Sequence, residues 1–120
     1  MKVELVKTFH FEAAHSIPTL PEGHKCRRLH GHNYRVDVHV EGEVNGITGV
    51  LIDFGELRDI VMPVIDSMDH ENLDNIDGMD IPTSETISRY IWDHLRDKLP
   101  ILSAVSVWET PGSKCTYRGC

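Results

Sequence analysis

The 120-residue chain carries 12 Lys and Arg against 19 Asp and Glu, a formal charge of −7, together with eight histidines. This acidic balance argues against nonspecific binding to nucleic acid or to anionic membranes. No apolar run approaches the roughly 20 residues of a membrane-spanning helix. The length and the apolar content of 40% predict one globular domain over residues 1–120. Three cysteines cannot pair evenly and the first residues lack the features of a signal peptide, so we expect a cytoplasmic protein.

Alternation of apolar and polar residues predicts two long strands in the N-terminal half. The first covers about residues 2–14, a loop follows over 16–29, and the second strand covers about 32–41. Asn45-Gly46 is a hairpin-turn signal, and Val50 to Ile52 is predicted to form a short buried strand after it. The inward-facing residues of the two long strands are Val3, Leu5, Phe9, Phe11, Ala13, Tyr34, Val36, Val38 and Val40.

Two helices and another strand follow. Asp53 is a predicted N-cap, with Glu56 completing a capping box, and Pro63 is expected to kink this helix. After a polar loop at 69–82, Pro82-Thr83-Ser84-Glu85 opens a second helix that Pro100 stops. The apolar stripes are Leu57, Ile60, Val61, Val64, Ile65 and Met68 in the first helix, and Ile87, Tyr90, Ile91, Leu95 and Leu99 in the second.

Residues 101–110 form the next predicted strand, and Pro111-Gly112 turns into a short final segment. The order β-β-β-α-α-β predicts an α+β fold, an antiparallel sheet with helices packed on one side. So small a sheet has exposed edges, which strand pairing between subunits would cover.

Three histidines share the inward parity of the two long strands. His15 closes the first strand, and His30 and His32 enter the second, with Gly31 between them. Neutral imidazole suits zinc, and three protein ligands with one open position are typical of a catalytic site. The alternative is three core histidines bonded to backbone carbonyls, but their shared parity favours a metal site.

Cys26 lies four residues before His30, between Lys25 and Arg27-Arg28. It is either a fourth zinc ligand, which would close the site and make it structural, or a free thiol whose cationic neighbours favour the reactive thiolate. The spacing does not decide between them. No chemical role is expected for Cys115 and Cys120, nor for the remaining histidines at positions 10, 24, 39 and 94, although His24 is close to the site in sequence.

Two further features carry possible chemistry. In Asp69-His70 the carboxylate can orient the imidazole and stabilise its charged form, unless the pair is simply a polar loop dipeptide. Glu109 shares the inward parity of Val105 and Val107, where it could accept two parallel N–H groups of a ligand. It could equally be a strand-end carboxylate that reaches water.

Taken together, these motifs resemble the 6-pyruvoyl-tetrahydropterin synthase family over about residues 7–119. Within it, the three-residue gap between Cys26 and His30 resembles the bacterial branch, the 6-carboxy-5,6,7,8-tetrahydropterin synthases of queuosine biosynthesis. The segments that carry the resemblance are Phe11-Glu12-Ala13-Ala14-His15, Cys26-x3-His30-Gly31-His32, Val50-Leu51-Ile52-Asp53-Phe54-Gly55-Glu56-Leu57, Asp69-His70, Pro82-Thr83-Ser84-Glu85 and Glu109.

The resemblance implies a T-fold (tunnelling fold): a four-stranded antiparallel sheet with two helices on one face. It also implies that subunits join their sheets into a barrel, as a trimer or a dimer of trimers, with active sites at subunit interfaces. The implied activity is that of a zinc-dependent lyase. Its substrate would be 7,8-dihydroneopterin triphosphate, converted to 6-carboxytetrahydropterin with release of acetaldehyde and triphosphate.

The resemblance also implies residue roles. Zinc on His15, His30 and His32 would bind and acidify the side-chain hydroxyls of the substrate. Cys26 would be the base, Asp69 and His70 a proton relay, and Glu109 the anchor of the pterin. Thr83, Ser84 and Glu85 match the segment that contacts the pterin in relatives. We further hypothesise that Lys25, Arg27 and Arg28 receive the triphosphate. The alternatives are a pyruvoyl product, a metal-dependent hydrolase, or a noncatalytic zinc-binding oligomer.

Overall fold

A computed structural model describes residues 1–120 as a five-stranded sheet with two helices. The order along the sheet is β3-β1-β2-β4-β5, and every neighbouring pair is antiparallel except β1 with β3. The elements are β1 (Lys2–His15), β2 (His30–Glu43), α1 (Phe54–Met68), β3 (Glu71–Asn72), α2 (Ser84–Leu95), β4 (Leu102–Thr110) and β5 (Ser113–Tyr117). No helix is long and apolar enough to cross a membrane.

The predicted inward faces of the long strands are confirmed in the core from Phe9 onward, whereas Leu5 only packs against the core and Val3 lies outside it. Alternate residues of β1 and β2 join the buried stripes of both helices in one cluster of 21 residues, so the two helices cover the same face of the sheet. In the β1–β2 register Phe11 lies opposite Tyr34, and the two rings stack with centroids 4.8 Å apart. This register runs on to the open end of the sheet, where it sets the site described below.

Both helices form where the sequence predicts them. Asp53 Oδ2 accepts the backbone N–H of Glu56 at 3.1 Å, as the predicted cap requires. α1 continues from Phe54 to Met68 with Pro63 inside it. α2 begins at Ser84, after its N-cap Thr83, and ends at Leu95 rather than just before Pro100.

The predicted strand at Val50–Ile52 is wrong. Both sides of β2 are already occupied, by β1 and by β4, so these residues cannot pair with β2 in the predicted hairpin. Leu51 and Ile52 instead rest their side chains on the core without strand pairing. The Asn45 side chain accepts the N–H groups of Ile47 and Thr48, at 2.8 and 3.0 Å, and this starts a local turn instead of a hairpin.

The sheet has two strands that the pattern did not predict. β5 supplies the fourth long antiparallel strand, in place of the predicted strand at 50–52, and pairs with β4. β3 is only two residues long and adds a fifth, parallel strand beside β1. The four-stranded antiparallel sheet with helices on one face is therefore present, with one short strand added at its edge.

Candidate functional site

The three inward-facing histidines converge at the open end of β1 and β2. His15 and His30 are direct partners in the strand register, and their Nε2 atoms lie 3.0 Å apart. His32 completes the group, in which all ligand atoms lie within 4.8 Å of one another. His15 is fully buried, whereas His30 and His32 are half-buried. The predicted cluster is confirmed as a geometry that could hold a metal ion.

Backbone carbonyls orient two of the three rings. His15 Nδ1 lies 2.6 Å from the carbonyl oxygen of Pro82, and His30 Nδ1 lies 2.7 Å from that of Arg28. Because a carbonyl can only accept, each Nδ1 carries the proton and each Nε2 keeps a lone pair. Two lone pairs that face each other at 3.0 Å repel unless a cation or a proton lies between them. Such carbonyl-bound imidazoles are typical of metal ligands.

The third imidazole is held neutral and has no partner. His32 Nε2 is buried without a hydrogen bond. Burial lowers the pKa of His32; Glu109, 3.8 Å away, opposes this shift, and His15 and His30 add to it. Neutral imidazole is the form that binds a metal ion. The three histidines therefore fit a metal ion, because His15 and His30 bind carbonyls only through Nδ1 and the Nε2 atom of His32 has no hydrogen bond.

Cys26 stands beside this cluster but outside it. The thiol lies in a single 3₁₀ turn, Lys25–Arg27, and is half-buried. It is not among the clustered ligand atoms. A depression of about 480 Å³ brings it together with two of the histidines and two cations; its lining is Lys25, Cys26, Arg28, Leu29, His30 and His32. This arrangement favours a free thiol over a fourth ligand.

Asp69 and His70 form a hydrogen-bonded pair at the end of α1. Asp69 Oδ1 accepts the backbone N–H of Glu12 at 2.9 Å, and Oδ2 lies 3.0 Å from His70 Nδ1. The Glu12 N–H and then His70 hold the pKa of Asp69 below its usual value. His70 has φ +59°, an uncommon conformation for a residue with a side chain. Its imidazole lines an open depression of about 590 Å³ that also reaches His32.

Glu109 occupies the other side of His32. Its half-buried carboxylate receives no hydrogen bond from the chain and lines a depression of about 270 Å³ with Ser84 and Glu85. Thr83 is different, because its Oγ1 caps α2 by accepting the N–H of Thr86 at 3.2 Å. The structure therefore brings Ser84 and Glu85 to Glu109 and gives Thr83 a local structural contact.

The chain that carries this combination of residues also matches a family of known proteins. The family model described as 6-pyruvoyl tetrahydropterin synthase matches residues 4–120. The chain belongs to the 6-pyruvoyl tetrahydropterin synthase family. The resemblance carried by the sequence motifs is thereby confirmed for almost the whole chain.

Three relatives of this pterin synthase family carry two different activities in their names. The chain is 36% identical to a Bacillus subtilis 6-carboxy-5,6,7,8-tetrahydropterin synthase, covering 96% of this chain and 84% of the relative. It is 39% identical to a Synechocystis protein of the same name, covering 94% and 91%. It is also 36% identical to a dihydroneopterin monophosphate aldolase of Pyrococcus furiosus, covering 91% of both chains.

A solved structure from the same family confirms the predicted T-fold. The 6-pyruvoyl tetrahydropterin synthase of Caenorhabditis elegans aligns with a TM-score of 0.91 at 29% identity, covering 100% of this chain and 97% of that one.

Two residues beside this site were not predicted as site residues from the sequence. The Tyr34 hydroxyl is fully buried without a partner beside His15 and His32, and burial and then Glu109 raise its pKa. Cys115 lines the Glu109 depression. Strand parity places Tyr34 next after His32 on the inward face, so its position beside the histidines could have been predicted from the sequence. Cys115 depends on the β4–β5 register, which pairs it with Val107.

Proposed function

We propose that the chain is a zinc-dependent 6-carboxy-5,6,7,8-tetrahydropterin synthase of queuosine biosynthesis that acts in the cytoplasm. It would convert 7,8-dihydroneopterin triphosphate and one water molecule into 6-carboxytetrahydropterin, acetaldehyde and triphosphate. The observation that carries this proposal is the three-histidine cluster, two of whose members, His30 and His32, line a depression that also holds a free thiol. The names of the Bacillus and Synechocystis relatives support it.

His15, His30 and His32 would hold the zinc ion through their Nε2 atoms. Two of these rings are fixed by the carbonyls of Pro82 and Arg28, so little reorganisation is required. Zinc bound there supplies Lewis-acid chemistry, which lowers the pKa of alcohol groups on the substrate.

Cys26 is the proposed base that removes a proton from the substrate side chain. Its half-buried thiol lines the same depression as His30 and His32, within reach of a substrate held at the three histidines. His70, oriented by Asp69, is the proposed second acid–base group. Because Cys26 and His70 line different depressions that share His32, they would approach the substrate from different directions.

Glu109 is the proposed anchor of the pterin. A half-buried carboxylate with no donor from its own chain can accept two parallel N–H groups of the amino-pyrimidine edge. Ser84 and Glu85 line the same depression and would flank the bound ring. Glu109 lies 3.8 Å from His32, so the anchored pterin would lie next to the three-histidine cluster.

We also propose that the active site is completed between subunits of a trimer or a dimer of trimers. The depressions beside His32 are open, and β3 and β5 end the sheet with unpaired edges. A neighbouring copy that pairs with an edge strand would add the missing wall.

The experiment that tests the activity compares the zinc-loaded protein with its Cys26→Ala variant. Both are incubated with dihydroneopterin triphosphate, and the products are identified by mass spectrometry, which also separates carboxy from pyruvoyl products. We expect the variant to keep its zinc while turnover falls by about 10² to 10⁴-fold, the usual effect of removing a general base. Cys120→Ala, which removes an exposed thiol, is the matched control and should behave like the parent.

A variant that loses both its zinc and its fold would instead support the noncatalytic structural site. A second candidate function is an aldolase that acts on dihydroneopterin monophosphate, because the Pyrococcus relative carries that name. Assaying the triphosphate and the monophosphate side by side decides between the two, and release of phosphate alone would indicate a metal-dependent hydrolase.

A further inference from the structure

A basic loop, residues 24–28, lies beside the three-histidine cluster and lines the depression that reaches His30 and His32. Its three cations are Lys25, Arg27 and Arg28, in a chain whose net charge is −7. None of the three forms an ion pair, although acidic residues outnumber basic ones 19 to 12. Three unpaired cations beside a catalytic thiol are available to an anionic ligand.

The basic loop separates two depressions that share one residue. The inner depression is the one that holds Cys26, His30 and His32. The outer depression, of about 420 Å³, is lined by Gly23, His24, Arg27 and Arg28. Arg28 lines both of them. An anion that starts beside the histidines and extends outward would therefore pass along Arg28.

We infer that the outer depression binds the distal phosphates of a polyphosphate substrate, with His24 as a donor, so that the basic loop senses the number of phosphates. The inference rests on the proposed function, since it takes a phosphate ester whose alcohol end lies at the metal site. In the proposed substrate the triphosphate is joined to the carbon next to the metal-binding hydroxyls. Its first phosphate then lies in the inner depression, between Lys25 and Arg28, and only a longer chain reaches Arg27 and His24.

The tautomer of His24 suits this role. Its Nδ1 accepts the backbone N–H of Cys26 at 3.1 Å. An N–H can only donate, so His24 Nδ1 holds a lone pair and the neutral ring carries its proton on Nε2. His24 therefore offers an N–H donor while capping the turn that carries Cys26.

One hydrogen bond holds the guanidinium of Arg27, and another fixes the backbone at Arg28. Arg27 Nη1 donates to the carbonyl of Leu20 at 3.0 Å, which leaves its other N–H groups for a ligand. The carbonyl of Arg28 accepts from His30 Nδ1 at 2.7 Å, so the backbone at Arg28 is fixed relative to the metal cluster. A preorganised guanidinium loses less entropy when it binds phosphate.

The test uses inorganic triphosphate and inorganic phosphate as probes, titrated calorimetrically at one ionic strength. The parent should bind triphosphate at least about tenfold more tightly than phosphate. His24→Asn keeps an acceptor near the position of Nδ1 but removes the Nε2 donor, and Arg27→Ala removes the distal cation. Each should weaken triphosphate binding about tenfold while changing phosphate binding less than about twofold. Arg28→Ala should weaken the binding of both probes.

Arg96→Ala, which removes an exposed cation at the end of α2, is the matched control for net charge and should leave both affinities unchanged. Circular dichroism checks that each variant is folded. All titrations are repeated on metal-free protein, because triphosphate can also contact the metal. Equal affinity of the parent for both probes, or wild-type triphosphate affinity in His24→Asn and Arg27→Ala, would overturn the inference. Wild-type affinity in His24→Asn alone would overturn the role of His24.

Neither probe contains a pterin or is turned over, so this result is independent of the catalytic assay. A protein that shows the expected binding and makes no pterin product would keep the polyphosphate site and lose the proposed function.

Discussion

At the scale of single residues, the three-histidine cluster depends on contacts between residues that are far apart in the chain. The carbonyl that orients His15 belongs to Pro82, 67 residues away, immediately before the N-cap of α2. The ring is therefore set by the segment that also leads to Ser84 and Glu85. Strand parity predicted that the three histidines converge, because side chains alternate along a strand whatever surrounds it. It could not predict the carbonyls, since these depend on loop conformation and tertiary packing.

Replacing His32 with alanine should abolish stoichiometric metal binding. The variant removes one of three ligands, so we expect metal affinity to fall by at least about 100-fold. Metal content after dialysis, measured by mass spectrometry, checks this. His94→Ala, at an exposed position on α2, is the control and should keep the metal.

The same variant separates a metal ligand from a core histidine. His32 Nε2 is buried without a partner, which costs about 1–3 kcal/mol, so the metal-free variant should unfold at an equal or higher urea concentration than the metal-free parent. A large loss of stability without metal, with metal content unchanged, would contradict the assignment.

At the scale of elements, prediction succeeded where a strand or helix has one apolar and one polar face. β1, β2 and both helices satisfy this condition, whereas β4 was predicted from its apolar residues although 104–107 are buried on both of its faces. β5 has only a weak pattern, because Cys115 and Tyr117 are the only apolar residues that alternate with polar ones in Ser113–Tyr117. Its pairing with β4 follows from the turn at Pro111-Gly112 and from tertiary contact. The strand prediction at Val50–Ile52 was wrong for the opposite reason. Its apolar side chains Leu51 and Ile52 reach the core without strand pairing.

A polar cluster joins β1 to β2 on the face of the sheet opposite the helices. Asp37, only 6% exposed, accepts from Thr8 at 2.7 Å and from Arg35 at 3.2 and 3.1 Å. Burial opposes ionisation of Asp37, but the hydrogen bonds from Arg35 and Thr8 outweigh it and hold its pKa below 3.8. The ionised carboxylate is therefore the form that stabilises the folded chain.

Asp37→Asn should lower the free energy of unfolding by about 1–3 kcal/mol near pH 7, because it weakens charged hydrogen bonds. A folded-state pKa below the unfolded value makes this contribution complete above about pH 4, and it is lost as the pH falls through the folded-state value. Urea denaturation of parent and variant from pH 7 down to pH 3 measures the difference. Asp97→Asn, at an exposed position, is the control. A difference that stays constant over this range would contradict the assignment.

At the scale of the whole molecule, the acidic total conceals how charge is distributed. The net charge of −7 argues against nonspecific polyanion binding, yet the cations of the basic loop lie together beside the depressions proposed to receive a phosphorylated substrate. The remaining acidic surface would discourage anions elsewhere and so favour these depressions. The two proposed acid–base groups are also separated, because Cys26 and His70 line different open depressions.

This division leads to a prediction for the assembled protein. If Cys26 of one subunit acts with His70 of another, two inactive variants can complement each other. Cys26→Ala and His70→Ala are co-expressed in equal amounts with different affinity tags, and mixed oligomers are purified through both tags. Selection through both tags removes the oligomers of a single variant, so with otherwise random assembly an intact Cys26 meets an intact His70 at about a third of the sites of a mixed trimer and at about a quarter of those of a mixed dimer of trimers. Activity should recover to about that fraction of the parent value. Oligomers of either variant alone are the control and should stay inactive. If both residues of a site come from one subunit, every site in the mixture carries a substitution and no activity returns.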